Sequence, residues 1–121
     1  MNYKKEPISN SLIKKYFFKY RRLKHVRITE DTKGIALIDI KTDDLIGIVQ
    51  VDTKRNYIIA LEVFENFKRQ GYSSILLGIA TKELNAKFLS VNKNNKVAIK
   101  IYENYGFKTY DENNHMLFMK I

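Results

Sequence analysis

Apolar and polar residues recur along this chain with two different periods, and the changes of period divide it into elements. From Ile8 the apolar residues Ile8, Leu12, Ile13, Tyr16, Phe17 and Tyr20 fall at helical spacing with lysines between them. That pattern predicts an amphipathic helix with one core face, capped by Ser9 or Asn10, behind a loose leader over 1–7. Two β-type runs come next, 34–40 (GIALIDI) and 45–51 (LIGIVQV), separated by the polar turn KTDD at 41–44. Spacing and turn chemistry make them an antiparallel hairpin. A second polar turn at 52–56 leads into an apolar run over 57–64, so three strands form a meander.

The helical period then returns near Gln70 and Gly71. Ile75, Leu76, Ile79, Ala80 and Leu84 lie on its buried side. Gly78 inside this helix costs about 1 kcal/mol relative to Ala, which points to close packing against a neighbour. A short strand, 87–91 (KFLSV), precedes polar N-cap choices at 92–95 and a helix over 96–105. On that helix Val97, Ile101 and Tyr105 share one stripe, and Ala98 and Tyr102 form another i, i+4 pair. Gly106 is a natural C′ stop. Residues 107–110, a turn at 111–114 and residues 115–121 close the chain as a hairpin. Strands first, then two strand–helix units, then a hairpin predict a single α/β domain over 1–121 with a mixed sheet.

Composition narrows the function classes. With no cysteine among 121 residues, disulfides, thiolate metal sites and Cys nucleophiles are excluded. His25 and His115 are too far apart in sequence to point to a metal cluster. No apolar run approaches the ~18 residues of a membrane span, and no signal-peptide core is read at the start, so a cytoplasmic protein without membrane association is expected. The net charge of +9 is uneven: residues 1–27 hold nine Lys/Arg against Glu6 alone, leaving +1 for residues 28–121. An acidic partner would explain it, whether nucleic acid, an acidic protein or the phosphates of a cofactor. A solvated helix face explains it equally well.

One stretch carries candidate chemistry. In 61–77 (LEVFENFKRQGYSSILL) a strand ends in a tight turn and a helix begins. The first helical N–H groups lack intrahelical partners, and the helix dipole places partial positive charge there. Gly71 permits close backbone approach or a positive φ. Ser73 and Ser74 leave their N–H groups uncovered, and Lys68 and Arg69 add full charge. The turn therefore suits the phosphates of a nucleotide-like cofactor, although an ordinary strand–turn–helix would look similar.

A second constellation lies in NKVAIKIYENYGF at 95–107, where Asn95, Ala98, Tyr102, Gly106 and Phe107 stand at fixed offsets. Together with the turn at 68–73, this resembles the GCN5-related N-acetyltransferases, the GNAT superfamily. Its members carry a loop of the form Gln/Arg-x-x-Gly-x-Gly/Ala on the acetyl-CoA pyrophosphate, and further on an N-x-x-A-x-x-x-Y-x-x-x-G-F pattern. The resemblance covers residues 34–121 as an acetyl-CoA-binding core, with 1–33 a short basic acceptor-side segment. It implies a mixed, mostly antiparallel sheet with flanking helices and a β-bulge splitting two parallel strands.

The resemblance also implies roles. Lys68, Arg69, Gln70, Gly71, Tyr72, Ser73 and Ser74 would wrap the pyrophosphate, mostly through backbone N–H groups. Val63 stands where members have the bulge and pair with the pantetheine arm. Asn95 matches a cofactor contact, and Tyr102 the acid that protonates the departing thiolate; a phenol with pKa near 10 suits that task. Departures accompany these matches. Lys68 keeps the charge of the usual Arg but loses its bidentate geometry, and Ser73 replaces the second Gly/Ala. Ser90 stands where members that acetylate protein N-termini have a general-base Glu, which leaves Glu62 as the candidate base. The expected function is acetyl transfer from acetyl-CoA, as co-substrate and without a metal, to a primary amine of a small molecule or protein. The alternative is a non-catalytic module binding CoA or nucleic acid through the basic segment. Monomer and homodimer are both compatible with the sequence.

Overall fold

Seven strands pair into one sheet in the computed structural model, which describes residues 2–121. They are β1 (Tyr3–Pro7), β2 (Thr32–Asp39), β3 (Leu45–Asp52), β4 (Tyr57–Val63), β5 (Phe88–Asn92), β6 (Lys108–Glu112) and β7 (Met116–Lys120). Their spatial order is β1-β2-β3-β4-β5-β7-β6, antiparallel throughout except for β4 beside β5. Three helices flank the sheet: α1 (Asn10–Tyr16), α2 (Tyr72–Gly78) and α3 (Lys96–Tyr105). The mixed α/β architecture is the expected one.

The leader is the first correction. Residues expected to be loose form β1, in register with β2 from Tyr3↔Asp39 to Pro7↔Ile35. An edge strand tolerates charged residues and a terminal proline, because one side of its backbone needs no partner. That is why YKKEP hides its strand character. The N-terminal helix is also shorter than its apolar period. Ser9 caps it, its Oγ accepting from Leu12 N at 3.1 Å, but α1 ends at Tyr16 and a separate 3₁₀ turn forms at Arg21–His25. Phe17 and Phe18 point outward, Phe18 with 89% of its surface exposed. The turn between β2 and β3 holds α1 in place: Tyr16 Oη donates to Asp43 O at 2.8 Å, Lys15 pairs with Asp43 at 2.7 Å, and Lys19 pairs with Asp44.

Both faces of the sheet are covered at β3, whose residues from Leu45 to Val51 are all buried. A nearly continuous apolar run, broken here only by Gln50, is what a doubly covered strand requires. On one face Leu12, Tyr16 and Leu23 pack over Ala36, Ile38, Leu45, Ile48 and Phe64. On the other, α2 and α3 enclose the larger cluster with Leu37, Val49, Leu76, Leu77, Phe107 and Met119. The buried polar Gln50, 3% exposed, is satisfied by the Arg27 backbone: its Nε2 donates to Arg27 O at 2.6 Å and its Oε1 accepts from Arg27 N.

α2 begins where expected and then widens into a π turn over Ile79–Glu83. Gly78 is not a close-packing glycine: a Cβ there would sit 3.6 Å from Tyr105 Oη, an ordinary contact. The last two strands are the expected hairpin, with β7 inserted between β5 and β6.

A bulge in β4 interrupts its ladder with β3. Gln50 pairs with Ala60 but Val51 pairs with Ile58, so Ile59 is the extra residue. It lies upstream of Val63, where the resemblance had placed it; Val63 itself pairs regularly with Gly47. Extra residues increase local twist and break the ladder. Next to this bulge the parallel pairing of β4 with β5 is confined to Tyr57↔Phe88, fastened by Lys87 N and Phe88 N donating to Asn56 O at 2.7 and 3.1 Å. Beyond that point the two strands part.

Candidate active site

The gap between the parted strands opens into a cleft of about 600 Å³ bounded by β4, the turn before α2, and α3. β4 contributes Leu61 and Val63, which share one face of the strand by simple alternation. Phe64 N donates to Ile46 O at 2.8 Å. Successive residues of a strand send their N–H and C=O to opposite edges, so those of Val63 turn away from β3 and toward the gap. Gly47 lets β3 press this close: a Cβ on it would lie 2.5 Å from Glu62 O.

The turn supplies the polar wall. Arg69 (φ 63°) and Gly71 (φ 87°) both adopt left-handed backbone, which reverses the chain and sets Gly71 as N-cap of α2. Only glycine does this without a Cβ penalty. No side chain caps α2, so its first N–H groups stay available beside Ser73 and Ser74. Lys68 and Arg69 border the same opening, and Lys68 is braced by Glu65 at 3.1 Å. The Tyr72 ring is buried, edge-on to Phe67 and Tyr3 with centroids 6.1 and 6.3 Å away. Gln70 is the member of the turn that does not line the cleft; its side-chain amide donates to Asn66 O at 3.2 Å.

α3 supplies the third wall. Asn95 caps it, its Oδ1 accepting from Ala98 N at 3.2 Å, and lines the cleft with Ala98, Ile101 and Tyr102. The spacing of the last three is that of one helix face. Gly106 (φ 126°) ends the helix and turns Phe107 into the core, where its ring meets Tyr102 at 6.4 Å. Burial pushes the Tyr102 phenol above the usual value of 10. Among the described residues none hydrogen-bonds its hydroxyl. A group so placed holds its proton at neutral pH and has it free to give.

Eight of the cofactor-site residues expected from sequence therefore line one cleft, as does Tyr102. Glu62 does not: it faces the other side of β4, lining two smaller cavities of about 350 and 280 Å³. Val63 and Lys68 line both the larger cleft and the second of these, so the two sides meet at the gap. Ser90 is exposed on β5, opposite Phe118 of β7. Leu61, Phe67, Val97 and Ile101 complete the lining and were not singled out from sequence. Period-two alternation from Val63 and helical spacing from Ala98 would have located Leu61 and Ile101.

A sequence profile of the Acetyltransferase (GNAT) family matches residues 5–107. The chain belongs to the GNAT acetyltransferase family. Solved members share its fold at low identity. The ribosomal-protein-S18-alanine N-acetyltransferase of Escherichia coli superposes with a TM-score of 0.75 at 15% identity, over 97% of this chain and 91% of that one. Arabidopsis thaliana NAA60, solved in complex with acetyl-CoA, gives 0.75 at 16% identity over 99% of both chains. Spermidine N-acetyltransferase of Vibrio cholerae, solved as a dodecamer, gives 0.69 at 14% identity, over 99% of this chain and 93% of that one. No individual curated protein matches in sequence. Among the described residues of this GNAT chain, no helix is long and apolar enough to cross a membrane.

Proposed function

We propose that this protein transfers acetyl from acetyl-CoA to a primary amine. The observation that carries the reading is the convergence on one cleft of the uncapped α2 N-terminus, the free edge of β4 at Val63, and a protonated phenol at Tyr102. The donor set suits the co-substrate. Backbone N–H groups at Tyr72, Ser73 and Ser74, with Lys68 and Arg69, would hold a pyrophosphate. The edge of β4 would pair with the amides of a pantetheine arm, as an added strand does. Asn95 borders the same path.

Acetyl-CoA supplies an activated acetyl group as its thioester. Glu62 Oε accepts the proton that the incoming ammonium must lose to become nucleophilic, directly or through water. Val63 N–H, aimed into the gap, donates to the thioester oxygen as charge grows there. Tyr102 Oη gives its proton to the leaving sulfur. Glu62 and Tyr102 thus act from opposite sides of the sheet, and the gap between β4 and β5 lets them reach one reacting centre.

Calorimetric titration with acetyl-CoA tests the reading. Saturable binding is expected, and Gly71→Glu should abolish it by adding a strained, anionic side chain at a left-handed position. Absence of binding at millimolar acetyl-CoA would overturn the proposal.

A further inference from the structure

On the face opposite the cleft, α1 and the 3₁₀ turn cover β2, β3 and the end of β4 but stop there. The rest of that face lies open. Leu89 and Val91 point into the core, so strand alternation puts Phe88 and Ser90 on the open side. Tyr57 stacks on Phe88 at 6.3 Å, and Phe88 meets Tyr110 edge-on at 6.0 Å. Tyr110 and Ile59 are 47% and 44% exposed. Through Ile59 this aromatic floor meets the cavity of about 350 Å³ bounded by Glu62, where the amine must arrive. Small-molecule sites enclose their ligands; a floor of this kind fits an extended chain.

Charge selects among chains. Of the cations in 1–27, Lys4, Lys5, Lys15 and Lys19 are neutralised by Glu6, Glu83, Asp43 and Asp44. Among the described residues Lys14, Arg21 and Lys24 form no ion pair. Lys14 belongs to α1, and Arg21 and Lys24 to the 3₁₀ turn, the wall beside the floor; Arg21 borders the smaller cavity, where Glu65 is already paired with Lys68, and His25 borders the other. A polycation meets repulsion at this wall, whereas flanking carboxylates meet complementary charge. Nucleic acid would satisfy the charge but not the chemistry, because the exocyclic amines of bases delocalise their lone pairs and are poor nucleophiles.

We infer that the acceptor is the primary amine of an acidic polypeptide segment, laid across β4, β5 and β7 with its carboxylates against the basic wall. The inference rests on the acetyl-transfer reading. Its test uses the full chain saturated with acetyl-CoA and monitors thiol release. Three acceptors are compared: a peptide with a free N-terminal amine followed by Asp and Glu, the same peptide with Arg at those positions, and spermidine. The acidic peptide should exceed both others by about ten-fold in kcat/KM, the effect of one well-placed charge contact or a little more. Added salt should erode the preference, Arg21→Ala with Lys24→Ala should remove most of it, and Arg21→Lys should retain it. Equal or better turnover of the Arg peptide or spermidine would overturn the inference. So would thiol release with none of the three while acetyl-CoA still binds, or tighter binding of a single-stranded oligonucleotide than of the acidic peptide. Loss of acetyl-CoA binding itself would instead overturn the transfer reading.

Discussion

In the proposed reaction Tyr102 would draw its task from its surroundings. Burial against Phe107 and the cleft wall raises its phenol above the ordinary value, because the phenolate would lose hydration. The shift keeps the phenol in its protonated form at working pH, the state from which a proton donor starts. The folded state favours the neutral phenol, so its contribution to stability is intact below the ordinary pKa of about 10 and is lost as pH rises through the higher folded value. Turnover should accordingly persist to alkaline pH, with its falling limb above about pH 10. Tyr102→Phe should lower kcat by about 10²-fold or more while leaving acetyl-CoA affinity nearly unchanged. Steady-state kinetics at saturating substrates beside calorimetry separates the two quantities, and an unchanged kcat would remove Tyr102 as the acid. At this scale the sequence was readable where chemistry depends on local spacing. Gly71, Asn95 and Tyr102 sit at a turn, a cap and a helix face, each visible within a few neighbours. Gly47 was not readable, because its lack of a side chain matters only against Glu62 O on the next strand.

Elements obey the same rule with different exceptions. β3 and α3 were evident, one from its nearly continuous apolar run and the other from its caps and period. β1 was hidden because an edge strand owes its existence to hydrogen bonds with β2 rather than to side-chain pattern. The end of α1 was hidden because Phe17 keeps the helical spacing yet faces solvent. The loop of Asp43 and Asp44 holds the C-terminal end of α1 through Tyr16, Lys15 and Lys19. Hydrogen bonds from Lys15 and Lys19 are the main cause that lowers both carboxyls below their usual range. Stability from such groups is present above the ordinary carboxylate value and is lost as pH falls through the depressed folded value. The Asp43→Asn, Asp44→Asn double variant should therefore show a shallower loss of thermal stability below about pH 4 than the parent protein. Circular dichroism melts across that range measure it. Identical acid slopes would mean the lysines do not hold the loop in solution.

For the whole molecule, the order of strands along the chain gave the fold class, while the insertion of β7 between β5 and β6 and the position of the bulge could not be read from it. Both arise from pairing between distant segments, which local periodicity does not encode. The site inherits this limit: its three walls were legible one by one, but their meeting at the gap depends on Ile59, a residue with no chemistry of its own. The two halves of the sheet, β1 to β4 and β5 to β6, share the single bridge Tyr57↔Phe88. Mechanically this is a pair of plates pinned at one corner, with the hydrophobic core as the padding between them. Amide exchange should expose the seam residue by residue. Along β4 the N–H groups of Glu62 and Phe64, turned to β3, should exchange slowly, and those of Leu61 and Val63, turned to the seam, quickly. Uniform protection along β4 would mean that the plates close in solution. An alternating pattern that acetyl-CoA evens out would make the co-substrate the missing strand that zips the sheet shut, so that each turnover ends by unzipping it.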